Sequence, residues 1–273
     1  MPGLAAQIER YSVVIAIGDV AVRLNTIDAD FLQLLHKRYA GFVSAEAQAE
    51  FDFDVELLPS TFRSPDVDLS VTLRSGRWVL DRGDFFAEWE PVARRGIIRQ
   101  TANPYSIDAV LRIMHTLVLA KQGGFLLHSA SAIRNGKAFL FAGVSGAGKT
   151  TISRLAPMDA TLLTDEISYV RKRDKDKDYV AFGTPFTGEL AKLGENCSAP
   201  VAALFLLAQG AENRIEPVAA AEAGRGLLAN MLFFAEDQEL VHWAFKAACD
   251  FVDRVPVYRL TFVPDARVWE LIT

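Results

Sequence analysis

Apolar and polar positions along the first hundred residues follow a pattern that is mostly typical of β-strands. Two short apolar runs on either side of Gly18-Asp19 predict an opening hairpin. The stretch from Phe51 to Leu57 alternates strictly and places its acids on one side, and further strand-like runs lie within 67–100. Between Asp28, a candidate N-cap, and Gly41, the apolar spacing is helical. We therefore expect an α+β unit, without a motif that indicates its chemistry.

The pattern changes at Asn103-Pro104, where proline ends the last strand-like run. A helix is predicted from Ile107 to about Lys121, because apolar residues recur there at helical spacing. His115 lies in this helix and is interpreted as a packing residue. We therefore expect two domains: an N-terminal α+β domain of unknown role at 1–103, and a second domain at 104–273.

The second domain contains a strand, a glycine-rich loop and a helix in direct succession. Residues 125–133 and 137–142 are apolar runs that Asn135-Gly136 joins as a hairpin. The next eight residues, Gly143 to Thr150, fit the phosphate-loop pattern G-x-x-x-x-G-K-[ST] at each fixed position. Residues 151–155 then indicate a helix. This order is the structural context that the motif requires.

The loop composition indicates a polyphosphate ligand. Glycines let backbone N–H groups approach phosphate oxygens, Lys149 supplies a positive charge, and the Thr150 hydroxyl can ligate Mg²⁺. ATP and Mg²⁺ are therefore the predicted cofactors; a glycine-rich turn without a ligand is the alternative. The candidate nucleotide-binding residues are Gly143, Ser145, Gly146, Ala147, Gly148, Lys149, Thr150 and Thr151.

Acidic residues follow at the end of a second apolar run, 160–166, which finishes in Asp165-Glu166. Phosphoryl transfer needs one acid to hold Mg²⁺ and benefits from another that accepts the hydroxyl proton. The alternative is an acidic strand-to-turn junction without a ligand.

Two other features could contribute to the same site by position. His128 lies on the strand beside the loop strand. The segment Gly183 to Glu189 has the glycine and proline spacing of a rigid loop that positions a site.

The rest of the second domain is predicted from periodicity, and the charged stretch 171–178 is interpreted as a solvated hairpin tip without a ligand. The predicted elements are a strand at 201–207, helices at 220–234 and 237–252, a strand at 255–262 and a short helix at 266–272.

Composition narrows the class of protein. The 273 residues carry a formal net charge of −5, which gives no electrostatic footprint for nucleic acid or an anionic membrane. Cys197 and Cys249 fit a reducing compartment and are interpreted as structural thiols, with no need for a disulfide. The N-terminus lacks the pattern of a secretion signal, so we expect a cytoplasmic protein. No Asn-Lys-x-Asp motif is present, which disfavours a GTPase.

His128, the phosphate loop and the pair Asp165-Glu166 together resemble the catalytic domain of bacterial HPr kinase/phosphorylase, which is related in fold to phosphoenolpyruvate carboxykinase. The resemblance covers roughly residues 105–205. It implies an α/β fold class: a P-loop kinase-like domain of this type, preceded by the smaller α+β domain.

The resemblance also implies roles for individual residues. Asp165 would be the general base toward a serine hydroxyl, with His128 near it and Lys149 at the phosphates. Glu166 and Thr150 would hold Mg²⁺, and Glu189 would be a further metal ligand. The division of base and metal roles between Asp165 and Glu166 stays open at this point.

Three departures from the family bear on the substrate. HPr kinases usually have an Asp-Asp pair and a serine at the end of the loop, where this chain has Glu166 and Thr150. Their glycine-rich signature is not visible after Asp165, and the first hundred residues do not resemble their N-terminal domain. HPr is therefore not favoured over another peptide or protein.

The sequence thus predicts a kinase that transfers the γ-phosphoryl group of ATP to a hydroxyl, with serine on a protein or peptide as the acceptor. The alternatives are a nucleotide-binding regulatory protein with little turnover and a kinase of a small metabolite. The expected partners are a nucleotide and the acceptor, without nucleic acid or membrane; a homo-oligomer is compatible with the sequence. The preference for ATP over GTP, and whether phosphorolysis also occurs, are left open.

Overall fold

A computed structural model describes the chain at residues 9–62, 67–173, 178–190 and 193–273. Within these residues the fold is mixed α/β, which is the predicted class at this coarse level. The chain separates into two compact units, Met1–Val110 and Leu111–Thr273. This division lies inside a helix that begins at Pro104, whereas the sequence predicts a boundary just before that helix.

Among the described residues, the first unit is built on a seven-stranded sheet. Its elements are β1 (Tyr11–Ile17), β2 (Val20–Thr26), α1 (Ala29–Arg38), β3 (Phe51–Leu57), β4 (Ser70–Arg74), β5 (Arg77–Asp81), β6 (Phe85–Glu90) and β7 (Arg95–Gln100). The strand order is β1-β2-β3-β7-β6-β5-β4, parallel at β2-β3 and β3-β7 and antiparallel elsewhere.

Local sequence signals account for several of these elements. The predicted hairpin joins β1 to β2, and Gly18 and Asp19 both have the positive φ that tight hairpin turns require. The Asp28 carboxylate caps α1 by accepting a 2.8 Å hydrogen bond from the N–H of Phe31. Along β3 the aromatic residues are buried while Asp54 is exposed, as its alternation predicts.

The second unit continues from α2 (Pro104–Lys121). Its further elements are β8 (Phe125–Arg134), β9 (Lys137–Ala142), α3 (Lys149–Arg154), β10 (Thr161–Thr164), β11 (Ile167–Lys172), β12 (Tyr179–Phe182), β13 (Ser198–Gln209), β14 (Arg214–Pro217), α4 (Ala220–Asn230), α5 (Gln238–Arg254), β15 (Val257–Phe262) and a 3₁₀-helix (Ala266–Leu271).

The strands of this unit form one sheet, with eight strands in the described part of the chain. Seven lie in the order β10-β8-β11-β12-β13-β15-β14, and β9 pairs with β8 and β13. Leu140 of β9 packs into a buried cluster with Phe251 of α5, and the neighbouring Phe141 packs into a second cluster with Ile152 of α3. Because β9 is buried on both faces, the glycine-rich loop begins from a fixed strand end.

Several predicted bounds differ from the structure. The strand predicted at 160–166 ends at Thr164, so its two acids lie in the turn before β11. The predicted helix 220–234 ends at Asn230, the predicted terminal helix is a 3₁₀-helix, and β14 was not predicted. Residues 174–177 of the predicted charged hairpin tip lie outside the described residues.

Cys197 and Cys249 are both free and exposed. The interpretation of these cysteines as structural thiols is therefore wrong, because neither packs in the core.

In the ranges that the structure describes, no helix combines the length and the apolar character needed to cross a membrane.

Candidate functional site

The glycine-rich loop links the end of β9 to the start of α3, and side chains pack closely against two of its glycines. Gly146 and Gly148 have positive φ values of 79° and 113°. A Cβ on Gly148 would lie 2.6 Å from Cζ of Phe262, and a Cβ on Gly143 would lie 2.7 Å from Cβ of Ala147. A Cβ on Gly146 would meet nothing within 4 Å. Glycine is thus required by backbone conformation at positions 146 and 148, and by packing at positions 143 and 148.

Gln209, at the end of β13, holds the loop from outside. Its side-chain amide donates a 2.8 Å hydrogen bond to the carbonyl oxygen of Gly146. Sequence reasoning missed this residue, because nothing in the pattern of β13 indicates that its last side chain reaches a loop 63 positions earlier.

Lys149 is largely buried, and its ammonium group lies inside the curve of the loop. Its Nζ donates to the carbonyl oxygens of Gly143, at 2.8 Å, and Val144, at 3.3 Å. Burial lowers the pKa of Lys149, whereas the negative charges of Glu166 and Glu189 oppose that shift. The positive charge of the loop is therefore held next to the acidic residues predicted to share its site.

Asp165 is buried and fixed by backbone donors. Its two carboxylate oxygens accept hydrogen bonds of 2.9 Å from the N–H groups of Gly188 and Leu190. The turn that carries it is held by Thr164, whose hydroxyl oxygen accepts from the N–H of Glu166 at 3.2 Å. Asp165 thus joins the turn after β10 to the segment 183–190.

Glu166 is directed to a different partner. Its Oε2 lies 3.1 Å from Nη2 of Arg112 on α2, and the Arg112 guanidinium lies over the Phe186 ring, 5.0 Å from the ring centroid. Sequence reasoning missed Arg112. The available signal was that it is the one lysine or arginine between Tyr105 and Ala120, within a mostly apolar helix, where a cation needs a carboxylate partner.

The segment 183–190 lies against both the turn and the loop. The Thr184 hydroxyl donates a 2.8 Å hydrogen bond to the carbonyl of Ile167, and Phe186 is buried. Farther along, Oε2 of Glu189 accepts a 3.2 Å hydrogen bond from the Thr150 hydroxyl. The structure therefore brings together two of the predicted metal ligands, which are 39 positions apart in the sequence.

His128 lies on β8 opposite Ile167 of β11, the residue that follows the acidic pair. Partial desolvation, and then the positive charges of Lys149 and Arg112, lower the pKa of His128 below its usual value. Its imidazole is therefore mostly uncharged at neutral pH.

These groups share one cavity of about 270 Å³. Every predicted site residue except Gly143 and Ala147 lines it, and Gly188 completes the wall. The volume is near the lower limit for small-molecule sites, about 300 Å³. Within the described residues, no set of three His, Cys, Asp or Glu side chains is grouped to hold a metal ion.

Comparisons with known proteins match one family model, and solved structures that resemble the chain only distantly. The family model for SynChlorMet cassette protein ScmC matches residues 99–273. No curated protein matches the chain. One similar solved structure is the Hpr(Ser) kinase/phosphatase from Coxiella burnetii, with 10% sequence identity and a TM-score of 0.26, over 50% of this chain and 78% of that one. A likeness of that size does not support a shared fold or function.

Proposed function

We propose that this chain, which belongs to the family of SynChlorMet cassette protein ScmC, is an ATP- and Mg²⁺-dependent kinase that transfers a phosphoryl group to a hydroxyl. The proposed acceptor is a serine of a protein or peptide. One observation carries the proposal: a single cavity joins the glycine-rich loop, Lys149, three acids and His128. In fold terms, we propose a P-loop kinase-like domain at 104–273 after a smaller α+β domain.

The loop residues suit a polyphosphate. Gly146 leaves open space where a side chain would stand, and α3 begins without a side-chain cap. The first N–H groups of a helix have no intrahelical partner, so they are available as donors. Lys149 adds a positive charge, and Ser145, Thr150 and Thr151 add hydroxyls on the same cavity wall. ATP, when bound, supplies the phosphoryl group that is transferred.

The acidic residues suit Mg²⁺. Thr150, Glu166 and Glu189 offer only oxygen donors, which this hard cation prefers. Magnesium in kinase sites is held by one or two carboxylates together with the nucleotide phosphates. We therefore propose these three residues as its protein ligands, which the phosphates would complement.

Asp165 is the proposed general base toward the acceptor hydroxyl. Two backbone donors fix its carboxylate at the cavity wall, so it would accept the proton at a constant position. His128, uncharged at neutral pH, lines the same cavity and is the proposed second proton-handling group. Lys149 would neutralise charge on the transferred group.

A nucleotide-dependent switch with little turnover is the second candidate, and the contact between Thr150 and Glu189 favours it. If Thr150 moves to a metal ion when a nucleotide binds, the segment 183–190 loses this contact but keeps its hydrogen bonds to Asp165. Binding would then alter the exposed end of the segment, at Glu189, without any transfer.

The test combines calorimetry of ATP and GTP binding, with Mg²⁺, and transfer of labelled γ-phosphate to serine-containing peptides. We expect saturable ATP binding, a labelled acceptor, and the loss of both in Lys149→Ala. Binding without a labelled acceptor would favour the switch. Wild-type protein that binds neither nucleotide would contradict both candidates.

A further inference from the structure

Arg112 contacts the proposed metal site without lining its cavity. Its guanidinium bonds to Glu166 through one pair of atoms, Nη2 and Oε2, at 3.1 Å. The other carboxylate oxygen of Glu166, Oε1, has no hydrogen-bond donor among the side chains and backbone groups that the structure describes. Glu166 itself lines the cavity. One oxygen of this carboxylate is thus held by arginine, while the other can accept a further ligand.

The Phe186 ring restricts the guanidinium of Arg112. The ring is buried, and the centre of the guanidinium lies 5.0 Å from the ring centroid. A guanidinium over an aromatic face is attracted to that face. The ring therefore limits the positions from which Arg112 can donate to Glu166.

Stability alone does not account for an arginine at this position. The Nε of Arg112 is buried and lacks a hydrogen-bond partner within the described residues. A buried donor without a partner lowers the free energy of unfolding. An apolar residue would fit the rest of α2 without that cost, because the surrounding helix positions are mostly buried and apolar.

We infer that Arg112 is a positioning residue for Mg²⁺: by binding one oxygen of Glu166 it sets the direction in which the other oxygen meets the metal ion. This inference rests on the proposed function, because it assumes that a nucleotide and Mg²⁺ bind at this cavity. Arg112 acts through Glu166 and needs no contact with the nucleotide.

Two effects of Arg112 on the metal oppose each other. Its positive charge repels Mg²⁺, whereas its hydrogen bond fixes the ligand. The side chains of Arg112 and Glu166 are 24% and 31% exposed, so solvent screens the repulsion. Mg²⁺ demands nearly ideal octahedral geometry, and loss of a group that orients a metal ligand typically lowers metal affinity about 10- to 100-fold. The orienting effect should therefore be the larger one.

The experiment measures binding of a fluorescent ATP analogue in EDTA and then as a function of Mg²⁺ concentration. Wild type, Arg112→Gln, Glu166→Gln and the double variant form a thermodynamic cycle. We expect each single variant to raise the Mg²⁺ midpoint about tenfold, and the double variant to match the single ones. Binding in EDTA should be unchanged. Arg254→Gln, which breaks another arginine–carboxylate pair of this unit, is the matched control and should leave both quantities unchanged.

Two results would overturn the inference alone. One is an unchanged Mg²⁺ midpoint in Arg112→Gln, and the other is a further tenfold shift of the midpoint when Arg112→Gln is added to Glu166→Gln. Either leaves the proposed function intact, provided that wild type still binds the analogue. Wild-type protein that does not bind the analogue at all would overturn the proposed function and this inference together.

Discussion

Replacement of Gly148 by alanine tests whether the glycine-rich loop has the backbone geometry that phosphate binding requires. Gly148 has a φ of +113°, a conformation that side chains other than glycine rarely adopt. The added Cβ would lie 2.6 Å from Cζ and 3.1 Å from Cε1 of Phe262. The first distance is too short for two carbon atoms and the second is unusually tight, so either the loop or the Phe262 ring must move.

Two terms contribute to the cost of this alanine. A non-glycine residue in a sparsely populated backbone region costs roughly 1–3 kcal/mol, and overpacking of a close contact costs about 1–3 kcal/mol. The sum is about 2–6 kcal/mol. If the loop relieves this strain by leaving the binding geometry, even the lower limit weakens nucleotide binding by roughly 30-fold.

Gly146→Ala is the matched control, because Gly146 also has positive φ but an added Cβ there meets nothing within 4 Å. Calorimetric ATP affinity and the thermal midpoint should be measured for both variants, and for Gly148→Ala combined with Phe262→Leu. We expect Gly148→Ala to lower the thermal midpoint more than Gly146→Ala does, and the smaller leucine to restore part of that difference and part of the lost ATP affinity. Equal losses of thermal midpoint in the two alanine variants, or no recovery with Phe262→Leu, would refute the steric argument.

Three further predictions concern single side chains. Asp165→Asn should retain nucleotide binding but reduce phosphoryl transfer about 100-fold or more, measured with labelled ATP; full transfer would contradict the base role. Glu189→Gln should weaken the Mg²⁺ dependence of nucleotide binding and increase proteolysis of the segment 183–190, because its contact with Thr150 is weakened; unchanged proteolysis would contradict that contact. His115 is buried without a partner for either ring nitrogen among the described residues, and desolvation lowers its pKa to about 3. Since the unfolded chain takes up this proton near pH 6.5 and the folded chain does not, stability is constant above that pH and falls below it, by about 2 kcal/mol at pH 5. Urea unfolding at pH 8 and pH 5 measures this loss, which should shrink in His115→Leu; an equal loss in that variant would exclude His115 as its source.

Features that depend on neighbouring residues were predictable from the sequence. The Asp28 cap, the Asn135-Gly136 hairpin and the succession of strand, loop and helix around Lys149 are local, because turn, cap and strand preferences act over a few positions. Both residues of the Asn135-Gly136 turn have positive φ, as their composition predicts.

Contacts between distant segments were not predictable in the same way. Arg112 meets Glu166 across 54 positions. Phe262 approaches Gly148 because β15 and the loop strand β9 both pair with β13 in the sheet of the second unit. No periodicity in α2 or β15 specifies which loop their side chains will meet. The sequence thus identified residues that line the cavity, but not those that hold them in place.

The proposed division of roles between Asp165 and Glu166 shows why tertiary structure is needed to interpret two adjacent acids. Both acids lie in the turn before β11, where Asp165 meets the backbone of Gly188 and Leu190 while Glu166 meets Arg112. A carboxylate with both oxygens bonded to neutral donors keeps its position, which suits a base. A carboxylate with one oxygen on a guanidinium still has one oxygen for a metal ion. Glu166 is the acid with an oxygen that has no donor among the described residues, so it is the proposed metal ligand, and Asp165, whose two oxygens are both bonded, is the proposed base.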